Sequence, residues 1–595
     1  MKTKSFLGVG ALSLFLIVIV PGIAQNQVPA EALAGLWGME QNLGPQVRGE
    51  LILDARGLRW RARIAGYDVG VERNGDEVRF TLPGGAGELR AHFTPDAKSV
   101  MGHWIQPANA VYNNRYASPV VLSNIQEHVW RGEVVPLEER VSFYLSIQLA
   151  GDGSLVAFIR NPEFNFFRRR TYRVGLKSSE LTLSENGNEL RGRYDSQADT
   201  ITLPLLDSAP PLVLTRRRDH DAIGFYPRVL PEKLPYDYRQ PVAANDGWPT
   251  ASLAEVGLKQ EPLAQMVEQI LRANLEENPL PIQSLLIARH GKLALEEYFY
   301  GFSRERPHDT RSAGKTWATM LVGVARQHGA DLSAETAVYQ LLSQYKPFAH
   351  WDERKAKLRL RDLMTMTSGF DCDDSNDNSP GQEDRMQAQN EQPDWYKYTL
   401  DLPMASDPGG DKGVYCSADI NLVGAVVHQA TGKWLPDLFQ QDFTQPLQIT
   451  EYHLNLMPTD EAYMGGGLYM RPRDLLKLGQ LYANGGAWNG RRVIGKDWVE
   501  QSTRRSSNLS DPLGMDHQYG FAWHIYHFNL GGKVYRMYFA GGNGGQSVMV
   551  FPELDMVVNY NGGAYGEAQK FFRWQAFLVP QYIIPAALSG TGATR

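Results

Sequence analysis

Ser312-Ala313-Gly314-Lys315 opens a stretch, 312–327, whose spacing predicts a helix stopped by Gly329. A separation of three puts the Ser312 hydroxyl and the Lys315 amine on one face, a turn apart. A serine hydroxyl is a weak nucleophile until a base takes its proton, and a lysine can be that base if its amine is neutral. Bringing the amine from a reference pKa of ~10.4 towards 7 takes about three units, or ~4 kcal/mol, from desolvation and neighbouring charge. The pair therefore demands a buried, crowded pocket. The helix start also aims backbone N–H groups at a developing oxyanion. By itself the pair is a weak signal, because a chain of this length offers roughly two by chance.

Two more motifs follow in order. Tyr415-Cys416-Ser417 stands just ahead of a helix predicted over 420–431, and a phenol near a lysine ammonium can carry protons. Gly541-Gly542-Asn543-Gly544-Gly545-Gln546 precedes a strand. Glycines there let a substrate lie close to the backbone, and an edge strand can offer N–H donors. Each motif alone also reads as ordinary structure, a packed tyrosine and a tight turn.

The three together, in this order, resemble the penicillin-recognising serine hydrolases, the superfamily of class C β-lactamases, D-alanyl-D-alanine carboxypeptidases and related esterases. Leu363-Met364-Thr365-Met366-Thr367-Ser368-Gly369, Pro408-Gly409, Gly465-Gly466-Gly467-Leu468 and Arg473-Asp474 strengthen the likeness, which spans about 246–580. It implies a sheet flanked by helices with a helical lobe inserted. Ser312 would be the nucleophile and Lys315 its base, while Tyr415 would protonate the leaving group and then activate water. The N–H groups of Ser312 and Gln546 would form the oxyanion hole, with Ser417, Asn543, Gly544 and Gly545 against the substrate. No cofactor and no metal are implied.

Two departures bear on the substrate. The β-lactamases of this superfamily usually carry Asn where Ser417 stands, and Lys-Thr-Gly where Asn543-Gly544-Gly545 stands. A missing charge-assisted contact to a substrate carboxylate costs about 1.5–3 kcal/mol. That favours neutral esters or amides over penicillins and D-Ala-D-Ala termini. The expected function is hydrolysis of an ester or amide through a serine acyl-enzyme. The alternatives are a D,D-peptidase or β-lactamase and, in another class, an acylatable sensor without fast turnover.

The rest of the chain must position and deliver this site. The chain has 595 residues, enough for roughly three or four domains by length. With 43% hydrophobic and 21% charged residues and a formal charge of −6, it reads as globular, and nucleic acid is not an expected partner. Lys2 and Lys4, an apolar run over 6–20 and small Gly22 and Ala24 form the pattern of a cleaved signal peptide, 1–24. The run is short of the ~20 residues a spanning helix needs, so no transmembrane segment is expected, and the mature protein is placed in the periplasm or outside the cell. Export permits a disulfide between the two cysteines, Cys372 and Cys416. Two buried free thiols are the alternative.

From 25 to 220 the chain alternates short apolar runs with Asn-Gly, Asp-Gly and similar turns, the texture of an all-β region. Gly35-Leu36-Trp37-Gly38 and Val129-Trp130-Arg131-Gly132 open a weak repeat, expected as a duplicated small antiparallel barrel, 25–125 and 126–220. A cell-envelope ligand is one expected role for this half. Its arginine triplets, Arg168-Arg169-Arg170 and Arg216-Arg217-Arg218, read as strand ends as well as a polyanion site. A Pro-rich linker, 221–249, leads to the α/β catalytic domain of β-lactamase/transpeptidase type, 250–585, whose partner is a small ester, amide or peptide substrate. The acidic loop Asp371, Asp373, Asp374, Asp377 lacks the glycine and glutamate of a calcium hand and reads as solvated. Asp219-His220-Asp221 sets neighbours on opposite strand faces, which disfavours a metal site.

Overall fold

The computed structural model describes residues 30–588 except 168–169, 207–209, 219–220, 222, 229–234, 273–279 and 390. The expected signal peptide lies outside the described residues, as do Arg168, Arg169, Asp219, His220 and part of the expected linker.

The N-terminal half is built of strands. Arg61–Ile64 and Glu77–Thr81 alternate exposed and buried residues, the period of a sheet with one packed face. Two bodies result. One is a closed barrel of Gly35–Asn42, Arg140–Leu149 and the strands that follow as far as Leu212–Arg217. Trp37, Phe143, Leu183, Ile201 and Leu214 fill it. The other is an open sheet running from Gly49–Asp54 to Val129–Val134 over a core with Leu51, Phe80, Trp104 and Trp130.

The opening strands cross over. Gly35–Asn42 pairs with Arg140–Leu149 and Leu212–Arg217 of the second half. Val129–Val134 pairs with Gly49–Asp54 and Arg115–Gln126 of the first. Order along the chain does not choose a partner strand; the buried face does. Trp37 is fully buried among the barrel residues, and Trp130 meets Phe93 at 4.9 Å and Trp60 at 6.1 Å in the open sheet. Arg216 of the second triplet is occupied structurally, paired with Asp199 and stacked over Trp37 at 4.1 Å.

The catalytic half contains an eight-stranded antiparallel sheet assembled from its two ends, with Ile282–Arg289 beside Met556–Gly562. Gln260–Arg272 and Trp574–Ile583 cover one face, and Pro472–Ala483 packs on the other. The lobe between carries Lys315–Gln327 and Ser417–Thr431, which pack on each other. The segment 518–530 forms two strands, Gln518–Tyr519 and His524–Leu530, with a break between them. At the break Ala522 takes φ +55° and its carbonyl accepts the Thr316 hydroxyl at 2.8 Å, tying the sheet to the Lys315 helix.

The two halves share a sheet. Tyr452–Leu456 pairs with the start of Arg115–Gln126, through Leu454 with Ala117 and Leu456 with Arg115. Leu468–Met470 adds to Tyr452–Leu456, and His308–Asp309 adds to Leu468–Met470. Strand pairing thus runs from the N-terminal open sheet to within three residues of Ser312. Among the described residues, no helix is long and apolar enough to cross a membrane.

Candidate active site

Ser312 sits in a tight turn, Arg311–Gly314, that leads into the helix Lys315–Gln327. Arg311 takes φ +47°, a left-handed conformation that costs a non-glycine residue roughly 1–2 kcal/mol. Its surroundings hold it there. Its N–H donates to Asp309 Oδ1 at 2.9 Å, and its guanidinium pairs with the Asp309 carboxylate at 2.7 Å. A third bond crosses to the N-terminal half, to the Tyr112 hydroxyl at 3.0 Å.

Lys315 Nζ donates to Ser312 Oγ at 2.9 Å and to the Gly465 carbonyl at 2.7 Å. It also lies 5.0 Å from the centre of the Tyr415 ring. The Gly465–Gly467 segment that supplies the carbonyl precedes the strand Leu468–Met470 of the shared sheet. Burial draws the Lys315 ammonium down, but Tyr415, Glu383 and Asp374 outweigh it and hold the amine above its ordinary range. The neutral lysine expected from the sequence is therefore not the resting form. Tyr415 first, then Glu383 and Asp374, reverse the sign. Burial pushes the Tyr415 phenol up, against the pull of Lys315 and Ser312.

Tyr415 is delivered by a covalent staple. Cys416 forms a disulfide with Cys372, and the Asp374 N–H donates to the Tyr415 carbonyl at 3.0 Å. Ser417 then starts the helix Ser417–Thr431. Its N–H and hydroxyl donate to Asp374 Oδ2 at 2.8 and 2.6 Å. Ser417 is fully buried, so the side chain expected to touch substrate instead secures Asp374. Burial, with the Glu383 carboxylate nearby, raises Asp374 to about 6. The acidic loop expected to be solvated thus places one of its carboxylates inside the site.

These groups border a cavity of about 650 Å³. Ser312, Tyr415, Asp374, Gly541, Gly542 and Asn543 line it, facing an apolar wall that includes Leu509, Pro512 and Phe572. Asn543 is on its rim, with Oδ1 accepting the Gly566 N–H at 2.9 Å. Gly544, Gly545 and Gln546 turn away from it. A Cβ on Gly545 would stand 2.2 Å from the Trp574 ring. Gln546 pairs with Gly542 across the hairpin, and its side chain is bonded to Gly562 and Asn561 behind the strand. The backbone beside the Ser312 turn is that of Gly542, whose Cβ would sit 2.9 Å from the Ala313 nitrogen.

Two histidines escaped the sequence reading. His524 and His517 both line the cavity and lie 2.7 Å apart through His524 Nδ1 and His517 Nε2. They belong to no local motif, and only the strand break at Ala522 brings them together.

A helix-flanked antiparallel sheet with Ser-x-x-Lys and a tyrosine at one cavity defines the penicillin-binding and β-lactamase class of serine hydrolases. Residues 267–562 match the family model described as Beta-lactamase, and this part of the chain belongs to that superfamily. A 6-aminohexanoate-dimer hydrolase from Paenarthrobacter ureafaciens is 24% identical over 271 residues, covering 44% of this chain and 66% of the relative. Among solved structures, simvastatin synthase from Aspergillus terreus matches with TM-score 0.43 and 16% identity, over 55% of this chain and 98% of that one. A penicillin-binding protein homologue from Caulobacter crescentus matches with TM-score 0.42 and 14% identity, over 55% and 97%.

Proposed function

We propose that the protein hydrolyses an ester or amide through an acyl-enzyme on Ser312. The observation that carries this reading is the 2.9 Å bond from Lys315 Nζ to Ser312 Oγ, at a cavity that Tyr415 also lines. Lys315 is cationic, so its part is to stabilise the ionised form of Tyr415, which takes the Ser312 proton. Ser312 Oγ attacks the carbonyl carbon, and Tyr415 passes the proton to the leaving oxygen or nitrogen. The N–H of Ser312 and the strand end at 541–543 are the donors closest to the developing oxyanion.

The cavity also supports a substrate class. Its third-motif position holds Asn543 rather than a cation, while Asp373, Asp374 and Lys412 line the cavity elsewhere. Without a cation at that position a substrate carboxylate has no charge-assisted contact there, so a neutral ester or amide with an apolar acyl group fits better than a penicillin. The similarity to a protein named 6-aminohexanoate-dimer hydrolase is in keeping with an amide among the bonds cleaved. The Cys372–Cys416 disulfide supports export, since such bonds persist in oxidising compartments. The reciprocal strand pairing supports an origin of the β half in two related units that exchanged their opening strands.

Turnover of short-chain p-nitrophenyl esters and of a chromogenic cephalosporin by the mature protein tests this, with Ser312→Ala alongside. Ester turnover lost in the variant, with the cephalosporin intact, is expected. Rapid cephalosporin hydrolysis would overturn the substrate class, and full activity of Ser312→Ala would overturn the mechanism.

A further inference from the structure

We infer that Asn165, in the N-terminal half, is a positioning residue for substrate binding. It locks the Tyr565–Gly566 peptide so that Asn543 turns its amide N–H groups to the cavity, where they meet a neutral acceptor oxygen of the substrate. This rests on the ester or amide reading above and deepens it: the favoured substrate carries a carbonyl or hydroxyl oxygen beside Asn543.

Asn165 stands in the loop that follows the barrel strand Leu155–Arg160. It takes φ +55°, a conformation that asparagine tolerates better than most residues, and its N–H donates to the Asn161 carbonyl at 2.9 Å. Asn161 Nδ2 donates to the Ser142 carbonyl at 2.9 Å, and Glu163 accepts Arg306 of the catalytic half at 3.0 Å. The loop is thus fixed on both sides. From it the Asn165 amide uses both its N–H groups on the catalytic half, with Nδ2 donating to the Tyr565 carbonyl at 3.0 Å and to Glu567 Oε2 at 3.2 Å.

The peptide it holds is the one that reaches the cavity. A trans peptide is planar, so its carbonyl and its N–H point opposite ways. The Tyr565 carbonyl faces Asn165, and on the other side the Gly566 N–H donates to Asn543 Oδ1 at 2.9 Å. Gly566 and Asn543 both line the cavity. Asn543 is exposed, and with Oδ1 occupied its Nδ2 has no partner among the described residues. Two N–H groups are therefore left for a ligand.

Gly566 has φ +73°. A glycine takes either sign of φ at little cost, so its own backbone does not stop this peptide from turning over. The Tyr565 ring packs on Gly544 and its hydroxyl accepts Gln546 Nε2 at 3.2 Å, but neither contact touches the carbonyl. Among the described residues, only Asn165 donates to it. A flipped peptide would aim its carbonyl at Asn543, whose amide must then rotate and present Oδ1 to the cavity, an acceptor facing an acceptor.

Steady-state kinetics on the full chain tests this with the p-nitrophenyl esters of pentanoate and of N-acetylglycine. The two acyl chains have the same length, and only the second carries an acceptor oxygen along it. Asn165→Asp keeps the left-handed backbone but sets a carboxylate against the Tyr565 carbonyl and Glu567, which favours the flipped peptide. KM for the N-acetylglycine ester is expected to rise about fivefold to tenfold, the scale of one neutral hydrogen bond. The pentanoate KM and both kcat values should stay within about twofold. Asn543→Ala should show the same pattern, and the double variant should go no further than either alone. Equal KM rises for the two esters, additive effects, or no change would overturn the inference. If Asn165→Asp does not fold, Asn165→Gly, which also accepts the left-handed backbone, takes its place, with a rise of about threefold expected and an unchanged KM overturning the inference. Amide exchange reads the lock without turnover: it should quicken across 564–568 and not across Thr171–Lys177, and equal rates in wild-type and variant would overturn the inference. A wild-type that turns over neither ester, or a fully active Ser312→Ala, would overturn the hydrolase reading instead, while exchange still decides the lock.

Discussion

On the serine side of the cavity, the chain is held by non-covalent pairing that begins in the N-terminal open sheet. It passes through Tyr452–Leu456 and Leu468–Met470 to His308–Asp309, and Tyr112 adds a side-chain bond to Arg311. On the tyrosine side, pairing comes from the catalytic sheet itself, through the bridge of Lys412 with Asn508. That wall is fastened by the Cys372–Cys416 disulfide and by Asp374, which grips Ser417 and the Tyr415 carbonyl. The difference teaches that the N-terminal half is a structural part of the nucleophile wall, and that the tyrosine wall depends on local covalent chemistry.

Lys315 joins the two walls, so its loss should have the largest effect. Lys315→Ala is expected to lower ester turnover by roughly 10³-fold or more while the protein remains folded, as read by steady-state kinetics and circular dichroism. Retained activity would mean that the walls do not need this bridge.

Breaking the tyrosine wall comes next. The disulfide spans a sequence separation of 44, and loop-closure entropy assigns such a crosslink about 4 kcal/mol. Cys372→Ala with Cys416→Ala should lower the thermal midpoint of the catalytic domain and reduce turnover with it. Calorimetry of oxidised and reduced protein checks this, and an unchanged midpoint would remove the staple from the comparison.

A smaller effect is expected on the serine wall. Tyr112→Phe removes a hydrogen bond to a charged group, worth about 1.5–3 kcal/mol when intact. Because several other contacts hold Arg311, turnover should fall only about tenfold, with KM little changed. Tyr194→Phe is the control. It removes a 3.2 Å bond to Asp199 inside the barrel, which does not pair with the site strands, and should leave turnover unaltered. Equal effects of the two variants would dissolve the distinction between barrel and sheet.

The smallest effect concerns pH. Asp374 is raised to about 6 in the folded protein from an ordinary 3.8. The folded state therefore binds this proton more tightly than the unfolded state. The resulting stability is present in full below pH 3.8 and is lost as pH rises through 6. Asp374→Asn should flatten the dependence of the thermal midpoint on pH between 4.5 and 7.5. A variant as pH-dependent as the wild-type would point to other groups.

Much of the site was legible where spacing along a helix or turn is enough. Ser312 and Lys315 lie one turn apart in any helix, and Tyr415 stands at a junction that Ser417 and the following apolar run announce. The helix-flanked sheet of the catalytic half followed from the resemblance, and the β texture of the N-terminal half from its turns. Gln546 was misplaced because the glycine turn that precedes it reverses the chain into the neighbouring strand, opposite Gly542. Asp374 was passed over because four aspartates in a loop look solvated when the disulfide and Ser417 that bury one of them are out of view.

Local chemistry along the chain by itself determined which residues form the nucleophilic motif, where the helices and strands lie, and that two cysteines were free to pair. Tertiary structure alone decided the rest, because charge state and strand partnership are properties of neighbours in space. It set Lys315 as an ammonium by bringing Tyr415, Glu383 and Asp374 beside it, and it put Trp37 into the barrel rather than the sheet.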